Sequence, residues 1–69
     1  MQIYAPVTGS IWKVECAPGS EVEADTVLMV LESMKMEFPV EAEQPGVVKA
    51  LHCEEGQHVT EGHLLAEIE

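Results

Sequence analysis

The residue best placed to do chemistry is Lys35, in the run Glu32-Ser33-Met34-Lys35-Met36-Glu37. A lysine amine attacks an activated acyl group once it has lost its proton. A free lysine is mostly protonated near neutrality. Acylation of Lys35 therefore calls for an outside enzyme that brings the acyl group already activated, while the chain supplies reach and position. Met34 and Met36 admit two readings: flexible gap-fillers capping the end of a core, or recognition elements beside the lysine. His52, Cys53, His58 and His63 suggest a metal site, but their spacing matches no common zinc pattern. No Ser-His-Asp or Cys-His grouping stands out as a nucleophilic centre.

The elements that must position Lys35 are short strands. Prolines at 6, 18, 39 and 45 and glycines at 9, 19, 46, 56 and 62 interrupt any long helix. Between them lie stretches rich in Val, Ile and Leu. Strands are predicted near 2–5, 11–16, 21–23, 27–33, 36–41, 47–53, 58–60 and 64–68, the pattern of a small sandwich or barrel. Alternation is clearest at the end, where Leu64, Ala66 and Ile68 share one face.

An internal repeat organises these strands. With an offset of 37 (46 − 9), the two halves align without a gap. Gly9 meets Gly46, Cys16 meets Cys53, Gly19 meets Gly56 and Val22 meets Val59. Ala5 meets Ala42, Leu28 meets Leu65, and Glu32 meets Glu69. The matched glycines point to turns that the backbone repeats. Four short strands cannot bury an apolar face alone, so two copies are expected to pack face to face about an approximate two-fold axis. The join between the copies is Met34-Lys35. A two-residue hairpin there exposes Lys35 at its tip, although such turns favour Asn-Gly or Asp-Gly because both central residues need positive φ. A site that breaks a local rule is often a functional one.

Composition narrows the partners. The chain has 69 residues, three lysines, no arginine and a net charge of −10. Residues 1–69 are read as one domain with a small core, suited to a carrier or binding module more than to a free-standing enzyme. Such an acidic surface repels phosphate backbones and anionic headgroups, so neither nucleic acid nor a membrane is an expected partner. The acid excess is read first as solubility and second as attraction to basic partner surfaces. No apolar run spans a bilayer and no secretory signal is visible, so free thiols and a cytoplasmic location are expected. A Cys16–Cys53 disulfide, allowed by the repeat, is disfavoured there.

The centre Glu32-Ser33-Met34-Lys35-Met36-Glu37, within a duplicated β domain, resembles the biotinyl (biotin carboxyl carrier) domain of biotin-dependent carboxylases, in the wider biotin/lipoyl attachment family. The resemblance covers essentially the whole chain. It includes Ala5-Pro6-Val7-Thr8-Gly9, Pro45-Gly46, Glu55-Gly56 and Glu61-Gly62, with Ser33 where the family usually has Ala. It implies an all-β fold: a flattened β-barrel of two four-stranded antiparallel sheets, with the target lysine on the hairpin between the fourth and fifth strands. It further implies biotin joined covalently to Lys35 by a biotin protein ligase. Met34 and Met36 would be the flanking recognition residues, with Glu32 and Glu37 beside them. The carrier would shuttle a carboxyl group between a biotin carboxylase and a carboxyltransferase. Lipoyl domains share the fold but typically place Asp before the lysine and Ala after it, so a lipoyl carrier is the second reading and an unmodified structural domain the third. Cys16-Ala17-Pro18-Gly19 runs directly into Glu21-Val22, which leaves no room for the protruding thumb of some acetyl-CoA carboxylase carriers.

Overall fold

The structure is a computed structural model that describes residues 1–69. It has eight strands and no helix: β1 (Gln2–Tyr4), β2 (Gly9–Val14), β3 (Glu21–Val22), β4 (Val27–Ser33), β5 (Met36–Glu41), β6 (Gly46–Leu51), β7 (His58–Val59) and β8 (Leu64–Ile68). They form two four-stranded sheets, ordered β1-β8-β6-β3 and β5-β4-β2-β7. Every pairing is antiparallel. The two sheets make the flattened sandwich expected from the sequence.

The repeat is present, but its two copies are interleaved. Each sheet draws two strands from each half, so neither half forms a sheet of its own. The offset of 37 carries β1, β8, β6 and β3 onto the places of β5, β4, β2 and β7, and so exchanges the sheets. Cross-repeat backbone bonds come in matching pairs. Gly19 N donates to Val48 O at 2.8 Å, and Gly56 N donates to Ile11 O at 2.7 Å. Ala5 N donates to His63 O at 2.8 Å, and Ala42 N donates to Thr26 O at 3.0 Å. Because the halves interlock, neither copy can leave without opening both sheets.

The core lies between the sheets and is drawn from both copies. Ile11, Leu28, Leu31, Val48 and Leu65 are among its most completely buried aliphatic members. No polar side chain is buried. Removing such aliphatic surface from water is the main favourable contribution to a fold this small.

The matched glycines serve two different needs. Gly19 and Gly56 adopt φ of +94° and +88°, the turn role the sequence suggested. Gly9 and Gly46 instead sit where backbones crowd. A Cβ at Gly9 would overlap the carbonyl oxygen of Glu32, and one at Gly46 would lie 2.6 Å from the carbonyl oxygen of Glu69. Strand limits differ from the sequence reading mainly in β2 and β6. Both begin earlier and end two residues earlier, at Val14 and Leu51.

Candidate functional site

The site is the β4–β5 hairpin. Six rungs pair its strands, and the last rung joins Ser33 to Met36. Only Met34 and Lys35 remain for the loop, with φ of +53° and +65°. Two consecutive positive φ values mark a type I′ turn, whose twist matches that of the flanking strands. Neither residue is a good choice for such a turn. Non-glycine residues held there store strain of about 1–3 kcal/mol each. The ladder on either side over-determines the turn and holds it.

The side chains at the tip face water. Met34 is 90% exposed and Met36 57% exposed, so neither caps the core. Lys35 is exposed, and its amine takes no part in the chain's one ion pair, which joins His52 to Glu67. Glu32 and Glu37 lie directly across the ladder from each other, one rung below Ser33–Met36. Like charges in that position repel. The hairpin thus brings all five sequence-predicted residues, Glu32, Met34, Lys35, Met36 and Glu37, onto one exposed projection.

A side-chain relay braces the projection from below. Ser33 Oγ donates to Thr8 O at 2.8 Å, and Glu61 N donates to Thr8 Oγ1 at 2.9 Å. Thr8 therefore ties the end of β4 to the β7–β8 loop. The sequence reading treated Ser33 only as small and did not single out Thr8. One signal was available: the repeat mate of Thr8 is Pro45, whose side chain offers no such bonds.

The other sequence candidates lie apart from Lys35. Cys53 is buried, and its thiol contacts Met29 Sδ at 3.5 Å. Cys16 packs against the same core, and both cysteines are free thiols. Burial pushes both thiols up, and for Cys53 a charge on Cys16 would push further. Neither is therefore a ready nucleophile. His52 pairs with Glu67 at 2.8 Å on the outer face of the other sheet. No group of three or more His, Cys, Asp or Glu side chains could hold a metal. The two surface hollows of the molecule do not include residues 32–37.

Comparison with known proteins gives this hairpin a family. The family described as biotin-requiring enzyme matches residues 1–68. The chain belongs to the biotin/lipoyl attachment family. The biotin/lipoyl attachment protein of Bacillus subtilis is 38% identical over 68 residues, covering 99% of this chain and 93% of that protein. The human mitochondrial propionyl-CoA carboxylase alpha chain is 38% identical over 67 residues, covering 97% of this chain but only 9% of its own length. Among solved structures, the urea carboxylase of Kluyveromyces lactis superposes with a TM-score of 0.93 at 35% identity, over all of this chain and 6% of that one. The lipoyl domain of the Azotobacter vinelandii 2-oxoglutarate dehydrogenase complex superposes at 0.85 with 28% identity, over all of this chain and 95% of that one. This attachment domain thus matches one small protein and one lipoyl domain almost end to end, and a small fraction of two much larger carboxylases.

Proposed function

We propose that this attachment domain is a biotin carboxyl carrier with biotin joined to Lys35 Nζ through an amide. The observation that carries the reading is the exposure of Met34 and Met36 on a strained turn around a free amine. Neither methionine enters the core, and Met34 does not suit the turn, so folding gives little reason for the Met-Lys-Met centre. Recognition by an enzyme that modifies Lys35 does. Similarity to carboxylase chains, rather than to the lipoyl domain alone, favours biotin over lipoate.

Bound there, biotin would supply a ring that takes up a carboxyl group and gives it away. The chain's own residues would do the rest. Lys35 holds the ring at the end of a flexible stem. The paired strands β4 and β5 fix the root of that stem, and the Ser33–Thr8–Glu61 relay keeps the root from swinging. Partners would then be a biotin protein ligase, a biotin carboxylase and a carboxyltransferase, each with its own active site. Free thiols at Cys16 and Cys53 are in keeping with a reducing, cytoplasmic setting.

Intact mass tests the proposal. The chain is incubated with biotin, ATP and a biotin protein ligase, and in parallel with lipoate and a lipoate ligase. Addition of one biotinyl group, abolished in Lys35→Ala, is the expected result. An unchanged mass under an active ligase would overturn it, and addition of lipoate alone would give the site to the second reading.

A further inference from the structure

The approximate two-fold axis supplies an internal control for the surface. The outer face of the sheet that carries Lys35 can be compared, position by position, with the outer face of its mate. On the Lys35 sheet the central rows hold Trp12, Val30 and Pro39. Val30 pairs with Pro39 on one side and with Lys13 on the other, and Trp12 occupies the bulge beside Lys13. Their mates on the other sheet are Lys49, Glu67 and Gln2. At these three places the same backbone is apolar on one face and polar on the other, while Lys13, beside Trp12, has Ala50 as its mate.

The strip is open to solvent. Trp12 is 48% exposed, Pro39 is exposed and Val30 is half-buried. Trp12 points outward, with Lys13 Nζ 5.6 Å from its ring centre. A row of exposed carboxylates flanks the strip on each side: Glu32 and Glu37 towards the hairpin tip, Glu15 and Glu41 away from it. None of these four joins an ion pair. On the mirror face the polar groups satisfy one another. His52 pairs with Glu67 at 2.8 Å, and Tyr4 Oη donates to Gln2 Oε1 at 2.6 Å.

An exposed tryptophan in one row with Val30 and Pro39, its ring beside Lys13, has the composition of an interface centre, and unpaired charges at its edge have that of a rim. The occupant follows from charge and place. A second copy of the chain would bring another net charge of −10 against the same acidic rows, which opposes self-association. The strip crosses β2, β4 and β5 in one row, and the last two of these strands lead from it to Lys35, so an enzyme reaching Lys35 over this face meets it.

We propose that the Trp12–Val30–Pro39 strip is the docking surface for the enzyme that acylates Lys35, and that this enzyme meets it with an apolar centre rimmed by lysine or arginine. The proposal rests on the carrier reading above. It makes Trp12 a specificity-determining residue remote from the amine. The surface holds the partner in register while Lys35 enters its active site.

The test is steady-state biotinylation of the full chain by a purified biotin protein ligase. The variant Trp12→Lys/Val30→Glu/Pro39→Gln gives the strip the residues that the mirror face already carries in the same fold. Trp12→Ala is a milder second variant, and Lys49→Ala on the mirror face is the control. Circular dichroism and thermal melting are recorded first on each. KM is expected to rise about tenfold or more in the triple variant, the effect of losing an interface hot spot, with kcat retained. Lys49→Ala should behave as wild type. Added salt should raise the wild-type KM, and Glu15→Gln/Glu41→Gln should lessen that dependence. An unchanged KM in folded Trp12→Ala and triple variants would overturn the proposal. So would concentration-dependent dimerisation through Trp12, or a change in Trp12 fluorescence on biotinylation with KM unaltered, which would assign the strip to a second copy or to the biotin ring. Absence of biotin on the wild-type chain would sink the carrier reading itself, an outcome distinct from all of these.

Discussion

The β4–β5 hairpin and the open joint between β8 and β1 occupy mirror places in this molecule, yet only one of them is closed by chain. At the hairpin, Leu31 pairs with Phe38 and two further rungs follow before the Met34-Lys35 turn. At the open joint the mirror pair is Ile68 with Met1, which exchange backbone hydrogen bonds, and there the ladder stops. The strands meet correctly at both places, with a covalent turn at only one. Pairing is therefore set by the sheet and its buried face rather than by the loop. The two loop residues are released from any duty to fold the chain, and a lysine between methionines can stand where glycine would be easier.

Experiments can break or sharpen this contrast. The largest effect is expected from Lys35→Ala, which should abolish biotin incorporation by mass while leaving the thermal melt unchanged, because the side chain packs on nothing. Next comes the pair Gly9→Ala and Gly46→Ala. Both force a Cβ against a backbone carbonyl, and losses of about 1–3 kcal/mol are typical of such overpacking. Gly9→Ala should be the worse in urea titration, because Glu32 is pinned between β2 and β5 whereas Glu69 lies just beyond the end of β8. Equal losses would mean that the open joint is as rigid as the hairpin.

Smaller effects probe the turn itself. Met34→Gly should stabilise the domain by about 1 kcal/mol by relieving a positive φ, since the methionine side chain gives up no packing. It should also slow biotinylation if the methionine is read by the ligase. Ser33→Ala removes the bond to Thr8 and should lower stability by about 1 kcal/mol, with faster amide exchange in the hairpin as the more telling readout.

The smallest effect concerns the mirror face. The His52 hydrogen bond holds the Glu67 carboxyl below its ordinary range. A depressed folded pKa contributes stability above the unfolded carboxylate pKa, and that contribution is lost as pH falls through the folded value. His52→Ala should therefore lower stability slightly near neutrality, leave it unchanged at pH below the folded value, and so flatten the acid limb. The pair is solvent-exposed, so added salt should shrink the difference further.

Much of this was legible in the residues. The limits of β4 follow from its apolar run, those of β5 and β8 from apolar residues alternating or interspersed with Glu between turns, and the gapless repeat located the hairpin. The repeat could not reveal interleaving, because equivalence between halves does not say which strand each pairs with. β2 and β6 were placed too far along the chain because Cys16 and Cys53 continue the apolar alternation. Both side chains reach the core after their ladders have ended, and sequence pattern reports burial, not pairing. Trp12 faces outward, as simple alternation from the buried Ile11 requires. The bulge after it turns Lys13 outward as well, and nothing local announces a bulge. Within the site, Lys35 and its methionines were visible as types in a pattern. The Thr8 brace was not, since it depends on a contact between residues 25 apart.

The open joint has one more consequence. Met1 and Ile68 already lie in hydrogen-bonding register, so a short added turn could join the ends without disturbing either sheet. It would sit at the far end of β5, about 20 Å from Lys35 for six strand residues. The ring could then be reopened at another loop as a circular permutant. Met-Lys built into the new turn would occupy the mirror image of the present site. A single attachment domain would then offer two arms facing opposite ways, and the architecture contains nothing that forbids the second.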